Sequence, residues 1–122
     1  MPTADQIRSA VNDYVQSFVK QDRDLFMNAL ADNVEQEDPA GSPRNVGKDA
    51  LGKFWETLWG ICDSIEFEDR ELYVSGSEGA LVFSLTQHKK DGTSPTYDGV
   101  DIFRVDDDGN IAEVTGFAAP RA

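Results

Sequence analysis

Apolar residues at helical spacing fill the first half of the chain, and alternating strand-like segments fill the second. That order constrains the fold most. Thr3 with Gln6 three residues later is a capping-box pattern. Ile7, Ala10, Val11, Tyr14, Val15 and Phe18 then recur on one face, which predicts a helix over Ala4 to Lys20. Asp22 is placed to cap a second helix with Leu25, Phe26, Ala29 and Leu30 inward, ending at Asp32 or Asn33. Val34 to Asp38 reads as a short strand, and Ala40 to Asn45 as a loop. Leu51, Phe54, Trp55 and Leu58 predict a third helix over Gly47 to Trp59, with Gly60 as its stop. Strands follow at Ile65 to Val74, Ala80 to His88, Tyr97 to Val105 and Ile111 to Phe117, with a hairpin turn at Asp91-Gly92. Helices followed by a meander of strands predict an α+β fold, a sheet covered by helices on one face.

Size and charge exclude several function classes. At 122 residues, one domain spanning 1–122 is expected, and any site must be cut into its single core. Eleven basic and 23 acidic side chains give a formal charge of −12. Such a chain repels phosphate backbones and anionic lipid, so neither nucleic acid nor a membrane is an expected partner. Hydrophobic residues at 39% are too many for a disordered acidic tail. The lone cysteine, Cys62, allows no internal disulfide, and the lone histidine, His88, rules out multi-histidine metal sites. The start, MPTADQIRSAVNDYV, lacks the basic and apolar regions of a signal peptide, so a cytoplasmic location is expected. Acid–base chemistry here falls to carboxylates or tyrosines.

Three polar residues occupy positions where the pattern calls for core. Tyr14 lies on the inner face of the first helix. Asp38 shares a strand face with Val34 and Gln36. Asp101 alternates in register with Phe103 and Val105, so it is buried if that face is the core. Each also suits a structural role: an amphipathic tyrosine, an Asp-Pro turn, an acid on a wet strand face. Phe54, Trp55, Phe83, Phe103 and Phe117 are spaced so that each can face one core, offering an apolar cleft for a rigid neutral ligand. Arg104 alternates to the face opposite Asp101, and Arg44 sits in a turn, so no arginine is placed between two inward acids.

The segments NDYVQSF, LADNVEQEDPAGSPR and VDIFRVDDDGNI together resemble the bacterial ketosteroid isomerases, steroid Δ-isomerases of the nuclear transport factor 2-like superfamily. The resemblance spans almost the whole chain. It implies a cone-shaped, curved mixed or antiparallel sheet packed against three N-terminal helices around an apolar pocket. It implies Asp38 as general base, with Tyr14 and a protonated Asp101 as oxyanion donors; a neutral aspartic acid beside an aspartate base is a feature of that family. It implies a small apolar steroid ketone as substrate, no cofactor or metal, and a homodimer formed through the outer face of the sheet. Two departures stand out. Trp55 occupies a position where the family often has a tyrosine that donates to the oxyanion tyrosine, so Tyr14 lacks one donor. Trp59 to Ser77 matches poorly, so the pocket rim is not carried over. A polyketide cyclase-like enzyme and a non-catalytic apolar-ligand-binding protein are alternatives on the same fold.

Overall fold

The computed structural model describes residues 1–122. Helix α1 spans Ala4–Lys20 as the spacing predicts. Its capping box is closed on both sides: Gln6 N–H donates to Thr3 Oγ1 at 3.1 Å, and Thr3 N–H donates to Gln6 Oε1 at 2.8 Å. Helix α2 covers Arg23–Asn28, capped by Asp22, whose carboxylate accepts from Leu25 N–H at 3.0 Å. It is shorter than expected. The chain turns to strand at Leu30 instead of running on to Asp32 or Asn33. Apolar residues at 29–31 suit a helix or a buried strand equally. Tertiary pairing decides, because Leu30 meets Ile111 in parallel register and Ile111 N–H donates to Ala29 O at 2.8 Å.

The strands are β1 (Leu30–Glu37), β2 (Asn45–Val46), β3 (Cys62–Ser75), β4 (Glu78–Lys89), β5 (Thr96–Val105) and β6 (Ile111–Pro120). Helix α3, Lys48–Ile61, lies between β2 and β3 and runs through Gly60 without stopping. One interior glycine costs a helix only about 1 kcal/mol, which packing of Leu51 and Trp55 outweighs. The six strands form one sheet in the order β2-β1-β6-β5-β4-β3, parallel at β1–β6 and antiparallel elsewhere. β3 to β6 are thus the expected meander. The α+β class, the curved mixed sheet packed on the N-terminal helices and the enclosed pocket match the expectation.

Register irregularities bend the sheet at Cys62/Ser64 and Asp69/Glu71 of β3. A third, between β5 and β6, matters most for the site. Arg104 pairs with Glu113 but Val105 pairs with Ile111, so Ala112 is an extra residue. One inserted residue exchanges the two faces of everything beyond it. Ile111 and Val114 therefore both point to the core, Gly116 faces inward, and Phe117 faces out.

The core is aromatic where α1, α2 and α3 meet. Phe26 is fully buried, and Trp55 stacks on it at 4.6 Å between ring centroids. Tyr14 packs edge-on against Phe18 at 5.0 Å and Phe103 at 5.1 Å. The opposite face of the sheet is mixed. Arg121 pairs with Asp98 through bonds of 2.6 and 3.0 Å and also donates to Ser84. His88 lies there too, between Glu66 at 2.9 Å and Ser94 at 3.0 Å. No helix is long and apolar enough to cross a membrane.

Candidate active site

Between the concave face of the sheet, α1 and α3 lies a cavity of about 330 Å³. That is near the lower end of the ~300–1,000 Å³ usual for small-molecule sites. Tyr14, Asp38 and Asp101 all open onto it. Tyr14 is delivered by the fourth apolar position of α1's buried stripe. Asp38 follows the last residue of β1, on the same alternating face as the buried Val34 and Gln36. Asp101 sits mid-β5, opposite Leu81 of β4 and Gly116 of β6.

Gly116 is what lets the two acids meet. A methyl group at this position would lie 2.7 Å from Asp38 Oδ1 and 3.1 Å from Asp101 Oδ1. Both carboxyls therefore occupy the space any side chain would need. The loop after Asp38 is fixed around this point: Ala40 N–H donates to Gly116 O at 2.7 Å, and Glu37 accepts from Gly41 N–H at 2.8 Å and from Arg44 at 3.1 Å.

The three groups have different electrostatics. Asp101 is 6% exposed. Burial, and then the nearby Asp38 charge, hold its carboxyl well above the ordinary carboxylate range and favour the protonated form. Asp38 is at the pocket mouth, and the residue as a whole keeps considerable contact with solvent. Its carboxyl is the part turned inward against Gly116, and desolvation there raises its pKa from the usual value. Tyr14 is pushed well above a free phenol by burial first and by Asp101 and Asp38 second. One group opposes that rise, the side-chain amide of Gln36.

Gln36 went unmarked in the sequence, although the alternation puts it on the same face as Asp38. It is fully buried. Asn45 of β2 donates from Nδ2 to Gln36 Oε1 at 2.8 Å, which fixes the orientation of the amide. Gln36 Nε2 is left buried with no hydrogen-bond partner in direct reach. It lies near the Tyr14 phenol and favours its ionised form without a hydrogen bond to it in this structure. An unpaired buried donor is costly, typically about 1–3 kcal/mol, so its persistence beside Tyr14 is informative.

Of the five aromatic residues proposed to line the cleft, Phe54 and Phe83 do so. Trp55 and Phe103 lie one layer deeper. Trp55 is turned about 100° around α3 from Phe54 and packs on Phe26. Phe103 is fully buried behind the Tyr14 ring. Phe117 is half exposed on the outer face, because the extra residue at Ala112 reverses the alternation of β6. The wall is completed by residues that the sequence left unassigned, among them Phe18, Leu58, Phe67, Leu85, Gln87 and Tyr97. A shallow depression on the outer face beside Phe117 holds only one acid, Asp98, and that is committed to Arg121.

The cavity wall contains no arginine. Arg104 lies on the outer side near Glu113, and Arg44 pairs with Glu35, Glu37 and Glu113. No three His, Cys, Asp or Glu side chains converge into a metal-ligand set. Chemically, the site is an apolar chamber with one carboxylate at its mouth and two weak acids inside. A carboxylate of raised pKa is a competent base, and buried neutral O–H groups are competent hydrogen-bond donors to a developing oxyanion.

The fold is shared with several solved structures. A Δ5-3-ketosteroid isomerase from Mycobacterium sp. superposes with a TM-score of 0.85 at 24% identity, covering 95% of this chain and 98% of that one. A Mycobacterium tuberculosis protein in complex with estradiol-17β-hemisuccinate gives 0.84 at 24% identity, covering 92% of each chain. An epoxide hydrolase from M. tuberculosis gives 0.82 at 19% identity, covering 96% of this chain and 84% of that one. At these identities the likeness establishes the fold alone. No curated protein sequence matches the chain. The family model described as a SnoaL-like domain matches residues 11–114, so the core of the fold and the whole Tyr14–Asp38–Asp101 constellation fall within it, and the chain belongs to the SnoaL-like domain family.

Proposed function

We propose that the protein is a steroid Δ-isomerase, converting a β,γ-unsaturated 3-ketosteroid to the conjugated α,β-unsaturated ketone. The observation that carries this reading is the meeting of Asp38 and Asp101 over Gly116 at the wall of one apolar cavity that Tyr14 also enters. Asp38 takes a proton from the carbon between the carbonyl and the alkene. The electron pair moves through the carbonyl to give a dienolate, whose oxygen accepts hydrogen bonds from Tyr14 and protonated Asp101. Asp38 then returns the same proton to the far alkene carbon, and the conjugated ketone forms. No net proton, electron or co-reactant is consumed. A carboxylate has two oxygens and can serve two carbons with little motion. A neutral steroid ketone also suits the charge, since a field of −12 repels anions but not neutral ligands.

The reading is tested by adding a Δ5-3-ketosteroid to purified protein and following conjugated-enone absorbance. Growth above the buffer rate supports it, and none overturns it. A carrier of the same fold would bind apolar ligands without turnover. Equilenin should show the spectral shift of a polarised phenol in the wild type and a smaller one in Tyr14→Phe.

Within this mechanism Gln36 takes over part of the role of the missing tyrosine at Trp55. Its amide supports negative charge on Tyr14 and so strengthens Tyr14 as a donor. Gln36→Leu should therefore raise the pH at which Tyr14 ionises, read by ultraviolet difference absorbance. It should also lower turnover by roughly three- to tenfold, the size of a modest polar interaction. An unchanged Tyr14 titration would remove Gln36 from the site. The same reading makes the protein a homodimer through the outer sheet face, where Val82, Val100 and the half-exposed Phe117 lie. Light scattering should then return twice the chain mass.

A further inference from the structure

The cavity has a second polar end. On β4 and β5, Leu81 is opposite Asp101, Phe83 is opposite Gly99, and Leu85 is opposite Tyr97. Phe83, Leu85, Gln87, Tyr97 and Asp101 all face the cavity. Asp101 to Tyr97 is four residues of strand, ~13–14 Å at the usual rise. Gln87 is the next inward residue of β4 beyond Leu85. The polar groups are thus divided: Tyr14 and Asp101 at the inner end, with Asp38 reaching Asp101 from the mouth, and Gln87 and Tyr97 at the other.

What lies between is apolar and flat. Phe83 and Leu85 form one side. Phe54 and Leu58 of α3 form another, and the Phe83 ring lies against the bare backbone of Gly99, where a methyl group would come within 3.0 Å of it. Gln87 and Tyr97 are not consumed by the fold. The Gln87 backbone N–H donates to Pro95 O at 3.0 Å, as strand pairing requires. No bond to protein takes up the Gln87 amide or the Tyr97 hydroxyl, whereas outward-facing Thr86 and Thr96 of the same strands bond to each other at 2.8 Å. A ligand that is apolar to its tip would strip water from both groups and give nothing back.

We propose that Gln87 and Tyr97 form a distal subsite that binds an oxygen substituent, hydroxyl or ketone, at the end of the ligand remote from the carbonyl held by Tyr14 and Asp101. This rests on the isomerase reading for the identity of the inner end. Tyr97 O–H and Gln87 Nε2–H donate to a distal ketone, and Gln87 Oε1 accepts from a distal hydroxyl.

Binding separates the two ideas without turnover. Affinities of the wild type are measured by calorimetry for two phenolic steroids: estradiol, and the analogue lacking the distal hydroxyl. The same pair is measured with Gln87→Leu, Tyr97→Phe and the double variant. The wild type should prefer the oxygenated ligand by roughly three- to tenfold per hydrogen bond formed. The double variant should lose that preference while binding the deoxy analogue at least as well. Equal binding of the two phenols by the wild type overturns the subsite, and the comparison needs no variant to fold. A preference that survives in the double variant overturns it as well. Failure of the isomerase reading looks different: the deoxy phenol binds no more weakly to Tyr14→Phe than to the wild type.

Discussion

Asp38→Asn is expected to lower the rate of steroid isomerisation by about 10²–10⁴-fold, the usual contribution of a placed general base. The amide has nearly the same shape as the carboxylate and cannot accept the proton. The loop around it is held by backbone and Glu37 contacts that do not use the Asp38 side chain. Circular dichroism and thermal melting should therefore match the wild type. Equilenin affinity should change far less than turnover, because binding relies on Tyr14, Asp101 and the apolar wall. An Asp38→Asn protein that isomerises at the wild-type rate would remove Asp38 from the chemistry. The wild-type rate should also rise with pH through a value above that of an ordinary aspartate, since desolvation raises the Asp38 pKa.

Asp101→Leu should cost turnover about 10²–10³-fold, the typical worth of one oxyanion donor. Asp101 should also set a pH dependence of stability. An aspartate in the unfolded chain ionises near 3.9. In the folded protein burial holds the Asp101 carboxyl well above that. Below both values each state is protonated and Asp101 contributes nothing. Between them the folded state keeps a proton that the unfolded state has lost, so rising pH favours unfolding. The slope is up to about 1.4 kcal/mol per pH unit. Above the raised value the penalty stays constant. Asp38 acts in the same direction. Asp101→Asn removes this cost, so its melting temperature should gain on the wild type between pH 4 and pH 8. Melting curves at both ends of that range check it. A constant gap would mean that Asp101 ionises as an ordinary exposed acid. The acid that weakens the fold is thus the one assigned to hold the oxyanion.

Local periodicity carried much of this protein. α1 was legible to its last residue because its cap and its apolar stripe lie within one short segment. The inward direction of Asp38 and Asp101 was legible because alternation runs unbroken from Val34 to Asp38 and from Asp101 to Phe103. The alternation that placed Asp38 also placed Gln36, yet nothing local marks a buried glutamine as useful. Its meaning comes from Asn45, nine residues on, and from Tyr14 on another element.

Phe117 marks where local reading ended. Residue type suggests an inward aromatic, and the single extra residue at Ala112 sends it out. Whether a strand carries such a bulge depends on how its partner pairs, which is a property of two segments. The same holds for Leu30 to Asn33, which a helix or a strand could take until Ile111 fixed them.

By itself the sequence determined the class of fold, the segments that bear the acids and the faces on which they lie, because backbone sterics and apolar period act over a few residues. The tertiary structure alone decided that Gly116 lets two carboxyls share one space, that Gln36 stands behind Tyr14, and that Gln87 and Tyr97 close the far end of the cavity. Those relations join residues tens of positions apart, and only the packed sheet brings them within reach of one ligand.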